Sequence, residues 1–295
     1  MSPKTYFFLF LLLWVLTFFL TPLNAGTPGS LEPVALWPAA GGGLYVLDHS
    51  RGLIYIPTVP GLDLKASSKF ASFSDSWQTV DMTAVRVGSE DRVYVILAQE
   101  TTGMLLCYAN RQFVHSWIAK TILSGIAPDP QGQRLFLSGG LTNQIYEFVW
   151  NDPNATPTKV FIAVHGSQLL GPLAFDPESH LLYAGDERIG VIFAIDVNTK
   201  SVSRVGQIAG QPSALAFDSI HRTLYVVDSV GRKVWAFQVG GKAVKPQLFS
   251  SSPDFRQPTA IAVDANGTVW LGDPASQAIY QLGPKGSATP FRLAP

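Results

Sequence analysis

"LYVVDS" at residues 224–229 follows "ALAFDSIHRT" (214–223), and nearly the same phrase returns along the chain. Leu44 to Asp48 reads "LYVLD", Leu182 to Asp186 reads "LYAGD", and Val269 to Asp273 reads "VWLGD". Two looser copies are Val93-Tyr94-Val95 and Leu135-Phe136-Leu137. The six central aromatics stand 49, 42, 47, 42 and 45 residues apart. A period near 45 is the mark of a repeat architecture.

Each triplet sits inside a larger unit. A small-and-apolar strand precedes it: "VALW" (34–37), "TAVRV" (83–87), "GIAP" (125–128), "PLAF" (172–175), "SALAF" (213–217) and "TAIAV" (259–263). Turns such as "GSED" (88–91), "DPQG" (129–132) and "DANG" (264–267) join the two. Asp supplies local hydrogen bonds and Gly supplies positive φ in such turns. A third strand follows with its own aromatic: Tyr55, Tyr108, Tyr146, Phe193, Trp235 and Tyr280. A weaker fourth segment closes the unit, as in "FVHSWIA" (113–119) or "TKVFIAV" (158–164). Four strands per unit, six units and no helical periodicity predict an all-β, six-bladed β-propeller with four-stranded antiparallel blades. Residues 26–295 form one such domain, with ring closure expected where "TPFRL" (289–293) meets Leu31.

Composition fits this reading. The 295 residues carry 26 Gly and 21 Pro but only 14% charged residues, as turn-rich buried strands require. Lys+Arg and Asp+Glu both number 21, so no net field draws the chain to nucleic acid. Cys107 is the single cysteine, which excludes an intrachain disulfide and reads as a buried apolar side chain.

The N-terminal segment predicts export. Lys4 precedes the uncharged run Tyr6–Leu20, and Pro22 and Ala25 follow. This pattern reads as a secretory signal peptide over residues 1–25, cleaved after Ala25. The alternative is a short membrane anchor over residues 6–23, although this run is short for a span of about 20 residues. The expected location is secreted, periplasmic or otherwise extracytoplasmic, with membrane contact only if the segment is retained.

Asp48, Asp186, Asp228 and Asp273 each stand three residues past a blade aromatic. One reading is a ring of metal-binding carboxylates. The preferred reading is a set of turn caps that accept backbone N–H bonds, because each Asp precedes a hairpin of its own blade.

"PSALAFDSIHRTLYVVDSVGRKVWAF" (212–237) and "PTAIAVDANGTVWLGDPASQAIYQL" (258–282) resemble NHL repeats. They are also similar to blades of the gluconolactonase, senescence-marker-protein and luciferin-regenerating-enzyme superfamily, and the likeness extends from Pro33 to about Leu293. The resemblance implies a six-bladed propeller that serves either as a lactone or ester hydrolase or as an interaction platform. In the hydrolases it implies one divalent cation, such as calcium, held by Glu, Asn and Asp at the central channel. Glu32 matches the first of these; Ser213 stands in the Asn position and Thr259 in the Asp position. One carboxylate and two neutral hydroxyls make a poor cage for a hard dication. No metal or other cofactor is therefore expected, except under the hydrolase alternative.

Taking the same slot in each blade, the channel mouth is predicted from Val34, Thr83, Ser124, Gly171, Ser213 and Thr259, with Glu32 beside it. Arg86 is placed at the channel as well, in a slot given to Ala127, Ala174, Ala216 and Ala262 in other blades. A guanidinium over Trp37 would make a stacked pair there. The ring offers no group for acid–base chemistry, so no catalytic residue is assigned. The five histidines show no metal-ligand spacing. Asn154-Ala155-Thr156 and Asn266-Gly267-Thr268 match the glycosylation sequon. The leading functional expectation is an exported, non-enzymatic scaffold for a protein or small-molecule ligand. The alternatives are a divergent metal-dependent hydrolase that retains Glu32, and a carbohydrate platform built on Trp117 and Trp150.

Overall fold

The structure, a computed structural model, describes residues 31–40, 42–57, 68–152, 154–240 and 245–291. The N-terminal signal or anchor segment lies outside the described residues. Twenty-four strands form six four-stranded antiparallel sheets, and no helix occurs among the described residues. Blade 1 holds β1 (Pro33–Pro38), β2 (Leu44–Asp48), β3 (Gly52–Ile56) and β4 (Ser68–Ala71). Blade 2 holds β5 (Gln78–Val87), β6 (Glu90–Gln99), β7 (Thr102–Ala109) and β8 (Gln112–Ala119). Blade 3 holds β9 (Leu123–Asp129), β10 (Arg134–Gly139), β11 (Gln144–Val149) and β12 (Lys159–Ala163). Blade 4 holds β13 (Leu170–Asp176), β14 (Leu181–Asp186), β15 (Val191–Asp196) and β16 (Val202–Gln207). Blade 5 holds β17 (Pro212–Asp218), β18 (Thr223–Asp228), β19 (Lys233–Gln238) and β20 (Gln247–Ser251). Blade 6 holds β21 (Ala260–Val263), β22 (Val269–Asp273), β23 (Ala278–Leu282) and β24 (Ala288–Phe291). The all-β, six-bladed architecture expected from the repeats is the architecture found.

The second strand of each blade carries the recurring phrase and is largely buried. β2 and β22 are buried at every position. Sheets stacked face to face cover both sides of such a strand, so it reads as an apolar run rather than an alternation. The core is accordingly a ring of six clusters, one between each pair of neighbouring blades. Tyr45 and Leu47 of blade 1 meet Met82, Val93 and Val95 of blade 2. Tyr94 and Cys107 meet Leu135, Leu137 and Phe148. Phe136 and Phe161 meet Leu173 and Leu182, and Tyr183 meets Leu224 and Phe237. Tyr225 and Val227 meet Leu271 and Tyr280.

The sixth cluster closes the ring. Leu31, Leu36 and Val46 pack with Ala260, Trp270 and Ile279, and Phe291 covers them. The rings of Trp270 and Phe291 lie 5.9 Å apart. Each blade is a continuous stretch of chain, so no strand is exchanged at the seam. The ends of the domain meet through side chains.

Trp117 and Trp150, the aromatics of the carbohydrate alternative, are partly buried and pack against the cluster between blades 2 and 3. Trp117 packs edge-on against Phe148 with ring centroids 4.7 Å apart, and Trp150 stacks on Tyr94 at 6.4 Å. Cys107 is buried as expected, and burial pushes its thiol up from its ordinary value.

Candidate functional site

The inner strands begin at one end of the central channel, and there the chain lines a partly open cavity of about 50 Å³. Its walls include Val34–Trp37, Val80–Met82, Ser124, Ile126, Ser213–Leu215 and Thr259–Ile261. Long continuous runs line it because each inner strand turns its unpaired edge, not a side-chain face, toward the axis. The space suits a few water molecules, each of which takes about 30 Å³ in the liquid.

The hydroxyl groups at this level stitch one blade to the next. Ser124 of blade 3 donates to the Leu170 carbonyl of blade 4 at 2.9 Å. Ser138 of blade 3 donates to the Gly171 carbonyl of blade 4. Ser213 of blade 5 lies 3.4 Å from the Pro258 carbonyl that leads into blade 6. Thr259 of blade 6 stands in the corresponding place at the ring seam, where its Oγ1 is buried and finds no partner among the described residues. Of the predicted channel residues, Ser124, Ser213, Thr259 and Val34 are brought to one cavity, and two of its three hydroxyls, those of Ser124 and Ser213, face carbonyl edges.

Blade 2 departs from the slot assignment, and two predicted positions move with it. The residue opposite the central aromatic is Trp37 in blade 1 and Ala127, Ala174, Ala216 and Ala262 in blades 3 to 6. In blade 2 that residue is Thr83, which pairs with Tyr94. Arg86 is therefore not in the alanine slot. It lies farther along β5, its side chain is half exposed, and it pairs with Asp91 at 2.8 Å beside the β5–β6 turn. The stacked pair with Trp37 is absent because Arg86 lies three residues beyond Thr83, the residue equivalent to Trp37, and turns to Asp91 instead. Thr83 is fully buried between sheets and its Oγ1 finds no acceptor among the described residues.

The corrected register puts Asp81 at the channel. It follows the β-bulge at Val80, as Ala35 follows Val34 and Ala214 follows Ser213. Asp81 lines the cavity and was not expected there from sequence. Its Oδ1 accepts the Met82 N–H at 2.8 Å, and its Oδ2 reaches across to the Ile126 N–H of blade 3 at 3.1 Å. Burial is the dominant influence and pushes its pKa up to about 7, against the pull of those two N–H groups. The signal that could have found it is an acid in a strand position that every other blade gives to Ala, Gly or Pro.

A second acid lies at the same end. Gly171 has no side chain, and the space a Cβ would take is filled by the Glu187 carboxyl group. Burial, then the adjacent Asp186 carboxylate, push Glu187 up to about 7. Glu32 is buried where the chain enters blade 1. Its N–H donates to Asp48 Oδ2 at 2.6 Å, and its carbonyl accepts the His49 N–H. Among the described residues no three of His, Cys, Asp and Glu converge as a metal cluster. Ser213, implied as a ligand by resemblance, already faces two carbonyl oxygens, of Val227 and Pro258. This donor set does not fit a hard dication, which takes several anionic or carbonyl oxygens.

The four repeated Asp residues have a structural task. Asp186 accepts N–H bonds from Gln168 and Leu169 in the loop entering blade 4, and from Arg188 and Ile189 in its own hairpin. Asp48, Asp228 and Asp273 repeat the arrangement. Each carboxylate clamps the incoming loop to the β-hairpin and stays within one blade.

Residues 165–291 match the family model for the SMP-30/Gluconolactonase/LRE-like region. The match covers blades 4 to 6, the blades whose phrases carry the resemblance in the sequence. No curated protein matches the chain. Among solved structures, the chain is similar to one in a nidogen/laminin complex at 13% identity, covering 84% of this chain and 91% of that one with a TM-score of 0.69. It is similar to a catalytically inactive virginiamycin B lyase from Staphylococcus aureus with quinupristin at 14% identity, covering 90% and 86% with a TM-score of 0.62. It is also similar to the PQQ-bound aldose sugar dehydrogenase from Streptomyces coelicolor at 15% identity, covering 93% and 96% with a TM-score of 0.63. At these identities the likeness is one of fold.

Proposed function

We propose that this propeller is an exported, non-enzymatic binding platform that presents its rim and loops to a partner. The observation that carries the reading is the use of the channel hydroxyls. Ser124 and Ser213, two of the three hydroxyl residues lining a cavity of only about 50 Å³, face carbonyl edges of the next blade. A pocket for a drug-sized ligand has roughly 300 Å³ or more. The axis therefore works as a rigid hub, and recognition falls to exposed elements around it. The N-terminal run of Tyr6–Leu20 supports delivery outside the cytoplasm.

The second reading is a divergent lactone or ester hydrolase, favoured by the family-model match over blades 4 to 6 and by buried Glu32. One experiment separates the two. The full chain is dialysed extensively, its calcium, zinc and manganese content is measured by elemental analysis, and hydrolysis of simple lactones and aryl esters is assayed. The platform reading expects less than one bound dication per chain and no turnover above buffer. Stoichiometric metal together with turnover lost in Glu32→Ala establishes the hydrolase instead.

A further inference from the structure

The outer edge of blade 2 differs from the other five. β8 runs eight residues, while the remaining outer strands run four to six. An open strand edge is a template for pairing, and proteins blunt it with Lys, Pro or shortness. β4 carries Lys69, β12 carries Lys159, β16 carries Arg204 and β24 carries Pro290. β20 is uncharged but has five residues. β8 reads "QFVHSWIA", with no charge and no proline. Phe113, Val114 and Ile118 are 59%, 56% and 68% exposed, whereas β12, β16 and β20 each expose one large apolar side chain. The bulge at Val114 leaves β8 in regular register from His115 to Ala119. Trp117, wedged against Phe148, fixes that stretch to blade 3.

The two ends of the strand are cationic. Arg111 precedes it and Lys120 follows it, both exposed. Arg111 lies over the Tyr55 ring, and neither cation has an acidic partner among the described residues. A second copy of β8 paired antiparallel about its centre would set Arg111 of each copy against Lys120 of the other. Like charges oppose that pairing.

We propose that β8 is a β-augmentation site for an extended partner segment with an apolar, strand-forming middle and an acidic residue at each end. The proposal rests on the platform reading and names its surface. Main-chain bonds to this edge, unpaired among the described residues, supply affinity, the exposed apolar side chains cover alternate partner residues, and the two cations set the register.

The probe is a synthetic twelve-residue peptide: four Val-Thr repeats with two Asp at each end, mixed with the full chain and followed by calorimetry and amide exchange. Binding is expected, with new protection confined to residues 112–119. A Lys-ended version should bind about tenfold weaker or less tightly still, and added salt should narrow the difference. Ile118→Lys should weaken the Asp-ended peptide about tenfold; the substitution is exposed, so melting should hold. Phe113→Lys provides an independent second disruption of the edge. Equal affinity for Asp-ended and Lys-ended peptides overturns the proposal, as does failure of the Asp-ended peptide to bind. Self-association in sedimentation that Ile118→Lys abolishes also overturns it, in favour of a second copy. None of these results alters the metal and hydrolysis measurements, so failure here is distinct from failure of the platform reading.

Discussion

Asp81 shows what a single residue does to this fold. It bridges blades 2 and 3 through the Ile126 N–H, yet it holds a proton more tightly than an ordinary carboxyl. In the unfolded chain it ionises near 3.8; in the folded chain it ionises near 7. Below both values the two states bind the same proton and the residue is neutral in effect. As pH rises from about 4 to 7, the unfolded chain releases the proton first, so folding loses stability. Above 7 the penalty is constant. Glu187 has the same sign and the same window. Urea unfolding between pH 5 and 8 should show stability falling with pH, and Asp81→Asn should reduce that slope by up to about 1.4 kcal/mol per pH unit. An unchanged slope in Asp81→Asn and in Glu187→Gln would remove both acids from the account. Asp81 is not legible in the sequence because blade 2 spaces its inner strand differently from its aromatic. Eleven residues separate Thr83 from Tyr94, whereas eight or nine separate the equivalent pairs in other blades. Compared with blades 3 to 5, the hairpin is longer by its rungs Arg86↔Asp91 and Val87↔Glu90.

At the scale of the element, the blade is held by its repeated aspartate. Asp186 joins the loop before β13 to the β14–β15 hairpin through four N–H bonds and the Ser167 hydroxyl. Asp186→Ala strands those donors in a buried setting. Unsatisfied buried donors cost more than the bonds themselves contribute, and the expected loss is about 3 kcal/mol in urea unfolding. Asp186→Asn keeps an acceptor oxygen and should lose less. This role was legible from sequence, because an Asp three residues past the aromatic precedes a turn that its own side chain can cap. Blades 2 and 3 place Leu97 and Gly139 there. Blade 2 runs its strands longer, and in blade 3 Thr142 bonds back to Gly139.

At the scale of the whole molecule, stability depends on a seam that the described residues close through side-chain packing. Phe291 covers a cluster drawn from both ends of the domain, and no strand crosses from blade 6 to blade 1. Phe291→Ala should cost about 2 kcal/mol, less than a fully buried Phe because the side chain is partly exposed. Hydrogen exchange should quicken in blades 1 and 6 before blades 3 and 4. A uniform change around the ring would show that the seam is not its weakest point.

The number of blades, the order of strands within each and the turn-capping aspartates followed from the sequence by itself, because each is set within one unit of about 45 residues. A repeated aromatic, its flanking turns and its Asp all lie close enough in the chain to be read together. The contents of the channel and the position of Arg86 were decided only by the tertiary structure. They depend on the register between neighbouring sheets, which the lengths of hairpins and the placement of bulges shift without disturbing the repeat. A serine that faces the next blade's carbonyl looks in sequence the same as one that faces a ligand; only the stacked sheets tell the two apart.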